Sequence, residues 1–168
     1  NEVEISNKNW NRKHWSSIIT NYGKAPFFSE ISRIFKPIYE NIDYKFISEI
    51  NFLFIKEICK VLNIETNVTH STEYIYDTKS KKQERLMGLL LASNATDYLS
   101  GPSAEKYINS NLFDTYGIRL HWKSYGPYLD YRQLHSKESF ISKVSIIDLL
   151  FNTGIEHCHK YIISIFVM

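Results

Sequence analysis

Between Val144 and Gly154 the chain reads Val-Ser-Ile-Ile-Asp-Leu-Leu-Phe-Asn-Thr-Gly. Its apolar residues predict a core-facing helix, ended by Gly154, yet Ser145, Asp148 and Asn152 stand inside it. Asp148 and Asn152 are four apart and so share one helical face. A polar group within an apolar layer is costly unless it is hydrogen-bonded, so the fold must bring partners to this helix from elsewhere. Asp148 then reads as a support that orients a catalytic group, His14 or His135, or as one of the polar residues that cap loops beneath the sheet.

The remaining periodicities supply the layers around it. Asn7–Ile19 carries Trp10, His14, Trp15 and Ile18 on one helical face, with Lys8, Arg12 and Lys13 off that stripe. Asn21-Tyr-Gly23 breaks the helix, with Gly23 as its C-terminal cap. A second helix spans Phe27–Tyr39, kinked or ended by Pro37. A third, Lys45–Leu62, is the clearest and is closed by Asn63. Val3–Ile5 and Glu65–Tyr76 read as strands, the latter on Thr66, Val68, Thr69 and Tyr74. Ser80, with Gln83 three residues on, predicts a capping box for a helix reaching about Ser93. Thr96–Leu99 and Ile118–Trp122 read as strands separated by a Ser103–Asn109 helix, with Pro102 in its first turn. Tyr125–His135 is a polar, aromatic loop. Helices alternating with strands predict an α/β fold: one domain over residues 1–168, with a mostly parallel sheet flanked by helices.

The chain has 168 residues, enough to bury a sizeable core, and a net charge of +2. That balance argues against a nucleic-acid partner. The local excess at Lys79-Ser-Lys-Lys82 reads as a solvated face. No apolar run approaches the roughly 20 residues of a membrane span. The polar opening Asn1-Glu-Val-Glu4 predicts no signal peptide, and two cysteines make no disulfide framework. A cytoplasmic location is therefore expected. The apolar tail Ile162–Met168 reads as a buried strand or as the contact of a homo-oligomer.

Several constellations carry chemistry, each with a plainer alternative. Ser100-Gly101-Pro102-Ser103 joins strand to helix, where parallel sheets hold ligands and helix N–H groups favour anions. A turn that uses Gly and Pro for geometry and Ser as a cap is the alternative. Arg12 and Lys13 beside His14 offer two cations and an imidazole, suited to a phosphate or carboxylate with His14 as acid–base. Simple packing of Trp10, His14 and Trp15 is the alternative. Tyr22 and Lys24 line the same region or merely cover the helix end. Ser71 heads Ser-Thr-Glu73, at the carboxyl end of the Glu65–Tyr76 strand, and suits a sugar hydroxyl or an amine, or a turn. Tyr128 and Gln133 belong to an aromatic-polar loop suited to carbohydrate stacking. His157-Cys-His159, read as a strand, points its histidines one way and Cys158 the other. With no remote cysteine pair it predicts no zinc site. Cys59, in an apolar helix, is disfavoured as a nucleophile. No motif names a cofactor.

Three ordered segments, Asn21–Phe28, Tyr98–Tyr107 and Val144–Gly154, together resemble the WbqC-like family, found among bacterial genes for surface-polysaccharide assembly. The resemblance covers about Val3 to Ile163. It implies an aromatic residue followed by basic residues and His, matched here around His14, and an aromatic-rich loop ending in Gln, matched at Gln133. The family's usual Pro before that Gln is Arg132 here. Members usually carry a further N-terminal region, so the resemblance implies an N-terminally incomplete chain. The family's setting implies a nucleotide-linked amino sugar, or a carrier-bound acyl or aminoacyl donor. The expected activity is group transfer to a sugar amine, with His14 as base, Asp148 in support and the Ser100-Gly101 turn on an anionic portion. Two alternatives remain open: a nucleotide-binding or nucleotidyl-transfer enzyme, and a non-catalytic sugar-binding or scaffold module.

Overall fold

A computed structural model describes residues 3–41, 43–136 and 139–162. The apolar tail from residue 163 onward lies outside the described residues. Among the described residues six helices form: α1 (Trp10–Tyr22), α2 (Phe28–Asn41), α3 (Ile47–Val61), α4 (Lys82–Ala92), α5 (Ser110–Thr115) and α6 (Ile146–Ile162). The strands are β1 (Asp97–Ser100) and β2 (Arg119–Trp122). The chain divides into two compact units, Asn1–Asn67 with Pro127–Met168, and Val68–Gly126.

The first unit packs helix on helix. Trp15 and Ile18 of α1, Ile31 and Phe35 of α2, and Leu150, Phe151 and Cys158 of α6 are all buried in one cluster. Phe54, Ile58 and Val61 bring one face of α3 against it. Helix α2 runs past Pro37 to Asn41 without ending there. Asn63 adopts φ 50 just beyond α3, the left-handed conformation of a helix terminator. Gly23 follows α1 as expected but is right-handed at φ −59; what favours glycine there is space, since a Cβ would lie 2.6 Å from the Ile19 carbonyl oxygen.

Gly154 is required. It sits at φ 72 and ψ 172, a region open essentially to glycine alone, and divides α6 into two helical segments. The chain therefore resumes helix beyond Gly154, where the sequence pattern ended it. A Cβ at this position would lie 2.6 Å from Cδ1 of Phe27, whose N–H donates to the carbonyl of Phe151 at 3.1 Å. The absent side chain lets the loop between α1 and α2 dock on α6.

The second unit is built around a single parallel pair. Asp97 to Ser100 lie opposite Arg119 to Trp122 in register, with the crossover running through a 3-10 turn, Pro102–Lys106, and α5. Met87, Leu90, Phe113 and Ile118 form its core, and Tyr98 stacks on Phe113 with ring centroids 5.7 Å apart. The fold is thus mixed α and β, but a mostly parallel sheet overstates it: among the described residues the sheet has two strands. Glu65–Tyr76 is extended chain interrupted by a 3-10 turn at Ser71–Glu73, because β-branched residues do not make a strand without a ladder partner. Val3–Ile5 makes one antiparallel bridge, Glu4 to Phe46. Ser80 does not cap α4 but donates to Asp77, while Gln83 clamps the backbone of Asn109 through both ends of its amide.

Gly154→Ala combines a disallowed backbone conformation with a clash against the Phe27 ring. It should cost about 2–5 kcal/mol in chemical denaturation. A loss below 1 kcal/mol (about the effect of an ordinary surface change) would show that Phe27 docks without this close approach.

Candidate functional site

Asp148 lies in the first turn of α6, where the unsatisfied N–H groups of the helix favour a carboxylate. Its own N–H donates to the carbonyl of Ser145, so Ser145 stands just ahead of the helix as its lead-in. Asp148 is 6% exposed and gathers three donors. Tyr131 donates to Oδ1 at 2.7 Å, Gln133 Nε2 to the same oxygen at 2.9 Å, and Tyr22 to Oδ2 at 3.0 Å. Gln133 is closed in turn by Ile141, whose N–H reaches its Oε1 and whose carbonyl takes a second bond from Nε2. Asn152 donates to the carbonyl of Asp148 and accepts from the N–H of Leu134. Burial first, and then the neighbouring Asp148 carboxylate, push the Tyr22 hydroxyl up to about 12. The same causes, with burial again the largest, raise the Tyr131 hydroxyl well above its ordinary value.

His14 belongs to a second arrangement on the same unit. It lies on the exposed face of α1, and its Nδ1 is 2.9 Å from the hydroxyl of Tyr39 on α2. The imidazole meets the Tyr39 ring edge-on, with centroids 5.3 Å apart. Burial pushes the Tyr39 hydroxyl up to about 12, so it stays protonated and pairs with either tautomer of the imidazole. His135 Nε2 instead lies 2.5 Å from the carbonyl of Asn21. Neither histidine is hydrogen-bonded to Asp148, so the expectation that Asp148 orients one of them fails: its oxygens are taken up by Tyr22, Tyr131 and Gln133. Tyr39 holds His14. Arg12, Lys13, Lys24 and Tyr128 are exposed.

The second unit holds Ser71, Ser100 and Gly101. Ser100 ends β1, is buried, and lines a cavity of about 610 Å³ together with Lys82, Gln83, Leu86, Tyr98, Ala104, Tyr107 and Ile108. That volume lies in the range of small-molecule sites, about 300–1,000 Å³. Its wall is largely apolar, and Lys82 and Ser100 supply a cation and a hydroxyl. Gly101 contributes less than its sequence position predicts. Its φ is −74, and a Cβ there would meet only the Tyr125 hydroxyl at an ordinary 3.6 Å. The element after it is a five-residue 3-10 turn rather than an α-helix, so no helix dipole stands behind it. Ser71 hydrogen-bonds the Tyr76 hydroxyl, which Arg85 also contacts.

Among the described residues no group of His, Cys, Asp and Glu is placed to hold a metal ion. His157, Cys158 and His159 are successive helical residues of α6, not alternating strand positions. Cys158 is buried, donates to the carbonyl of Ile155, and has its thiol raised by burial. No described helix is long and apolar enough to cross a membrane.

Sequence reasoning missed Tyr39 and Tyr131, and read Lys82 as part of a solvated helix entry rather than as a cavity residue. The four-residue spacing of Ile31, Phe35 and Tyr39 was a signal for a buried ring with one polar tip. Lys82 gave none, since its place in a basic run resembles a solvated face.

Removing a donor from a buried carboxylate should cost about 1.5–3 kcal/mol for Tyr131→Phe and less for half-exposed Tyr22→Phe. The raised tyrosines also predict a pH dependence. Their folded values, about 12 for Tyr22 and Tyr39, exceed the ordinary 10.0, so their contribution is complete below pH 10 and lost as pH rises toward 12. Urea midpoints should fall across that window, and more shallowly in Tyr22→Phe and Tyr39→Phe.

The WbqC-like protein family matches residues 1–160. The chain is 38% identical over 155 residues to a Mycobacterium tuberculosis (strain ATCC 25618 / H37Rv) protein named "Uncharacterized protein Rv1507c". The aligned region is 92% of this chain and 65% of that relative's length. No solved structure matches. Because the match takes in almost the whole of this sequence, the chain belongs to the WbqC-like protein family.

Proposed function

We propose that the chain is a group-transfer enzyme of bacterial surface-polysaccharide biosynthesis, passing an acyl or aminoacyl group to the amine of a nucleotide-linked sugar. Family membership supports the pathway. The observation that carries the chemistry is the His14–Tyr39 pair of the first unit, an imidazole held by a buried tyrosine. The second unit, taken by itself, offers a cavity at the carboxyl end of β1, where Ser100 and Lys82 stand against an apolar wall. In parallel strand pairs this is the end where ligands settle, and a lysine there favours an anionic group such as a phosphate.

His14 supplies the base. With Nδ1 held by Tyr39, its Nε2 accepts the proton of the attacking amine. The nitrogen–carbon bond forms as the donor's ester or thioester bond breaks, and the leaving group departs with the electron pair. Asp148 is a positioning residue here: it ties the Tyr131–Gln133 loop and the end of α1 to α6. Arg12, Lys13, Lys24 and Tyr128 stay candidates for substrate contact on exposed surface, and Tyr22 and Gln133 act through Asp148.

The cavity also favours a second reading, nucleotide binding or nucleotidyl transfer. Melting-temperature shifts separate the two, because a ligand that binds only the folded state raises the midpoint by mass action. Group transfer predicts a shift with a nucleotide-sugar or an acyl-CoA, whereas ATP or CTP binding that requires Mg²⁺ identifies the alternative. With a turned-over substrate, His14→Ala should lower kcat about 10²–10⁴-fold, the worth of a positioned base. Ser100→Ala should raise KM. Unchanged turnover in both variants would sink the group-transfer reading.

A further inference from the structure

A second cavity, of about 530 Å³, lies in the first unit and is untouched by the roles above. Its rim is built by the antiparallel bridge between Glu4 and Phe46, where Ile5 N–H donates to Lys45 and Ile47 N–H donates to Val3, both at 3.0 Å. A Lys45–Glu4 ion pair of 2.8 Å spans the same bridge. Two aromatic residues line the cavity, half-buried Trp10 from α1 and exposed Tyr44 from the turn before α3. The charged lining residues are Glu4 and Asp43 against Lys8 and Lys45, so the cavity carries no net charge.

Charge cancellation argues against a phosphate or a polyanion, whose binding needs an excess of cations. What remains is a site with aromatic faces for an apolar surface and alternating donors and acceptors for hydroxyls. Aromatic rings with polar groups beside them suit a pyranose, which presents C–H faces and a belt of O–H groups. The place is also specific. Trp10 is the wall that this cavity shares with the catalytic face, since its ring centroid lies 6.4 Å from that of His14, one turn along α1. Asn11, another lining residue, donates to the carbonyl of Tyr39, the residue that holds His14.

We infer that this cavity is the subsite for an uncharged sugar ring of the acceptor, set on Trp10 and Tyr44 so that the acceptor amine is presented to His14. The inference rests on the group-transfer reading for the role of His14, while the sugar binding itself is measurable without turnover.

The test titrates the full isotope-labelled chain with methyl β-glycosides of N-acetylglucosamine, glucose and galactose, and separately with inorganic phosphate, following the Trp10 indole N–H and the amides of Asp43 and Tyr44. Shifts at these groups with at least one glycoside, and none with phosphate, are expected. Tyr44→Ala should weaken that binding about tenfold, the worth of one aromatic contact. Tyr44 is 43% exposed, so the variant should keep its melting temperature. Asp43→Asn, which changes no packing, serves as a second variant that should also weaken binding. Absence of glycoside shifts, shifts unchanged in both variants, or saturation by phosphate instead would each overturn the subsite. His14→Ala separates the two claims. Glycoside binding retained with turnover abolished supports both. Glycoside binding with no turnover by the native chain leaves the subsite standing and removes the group-transfer reading. His14-dependent turnover whose acceptor KM ignores Tyr44→Ala does the reverse.

Discussion

A carboxylate buried in a helix-on-helix core is tolerable only with its oxygens occupied, and Asp148 of α6 shows how one such requirement organises a unit. Its oxygens draw Tyr22 from the end of α1 and Tyr131 and Gln133 from the long loop before α6. Among its described residues that loop has no helix or strand, and its backbone groups find partners through side chains: Gln133 bonds both backbone groups of Ile141, and Asn152 takes the N–H of Leu134. The polar residues of an apolar helix thus stand in for the ladder the loop lacks. Removing Asp148 would leave two tyrosine hydroxyls and an amide to seek water at once.

The apolar half of the same helix depends on a missing side chain. Gly154 lets Phe27 press against α6, and Phe28 and Tyr22 both stack on Phe151, with ring centroids 5.4 and 5.0 Å apart. Tyr39 extends this aromatic layer toward the surface, lying 5.3 Å from Trp15 and 5.1 Å from Phe54. Its ring is therefore locked by packing while its hydroxyl reaches His14. An imidazole held this way keeps its orientation without a carboxylate partner, because the core that supports Tyr39 is close-packed.

Legibility followed how local each feature is. The helices around Trp15, Ile31 and Ile50 announced themselves by three-to-four spacing, and Asn63 by its aptitude for φ above zero. The parallel pair Thr96–Leu99 and Ile118–Trp122 was readable to within a residue of β1 and β2. Glu65–Tyr76 was misread because strand propensity describes a surface waiting for a neighbour, and among the described residues no strand is paired with it. Ser80 and Gln83 had the spacing of a capping box, but Asp77 and Asn109 competed for them and won. Asp148, Tyr22 and Gln133 were each singled out. Their meeting at one carboxylate was not, since it joins segments more than a hundred residues apart.

The sequence alone determined the family, the helical layers, and the fact that α6 needed polar partners, because all three are written in order and periodicity. Tertiary structure decided which partners arrived. It gave the Asp148 oxygens to two tyrosines and an amide rather than to histidines, gave His14 to Tyr39, and set exposed Lys82 on the wall of a cavity. The reason is that hydrogen bonds between distant segments are chosen by how the backbone packs, and local pattern carries no record of that choice.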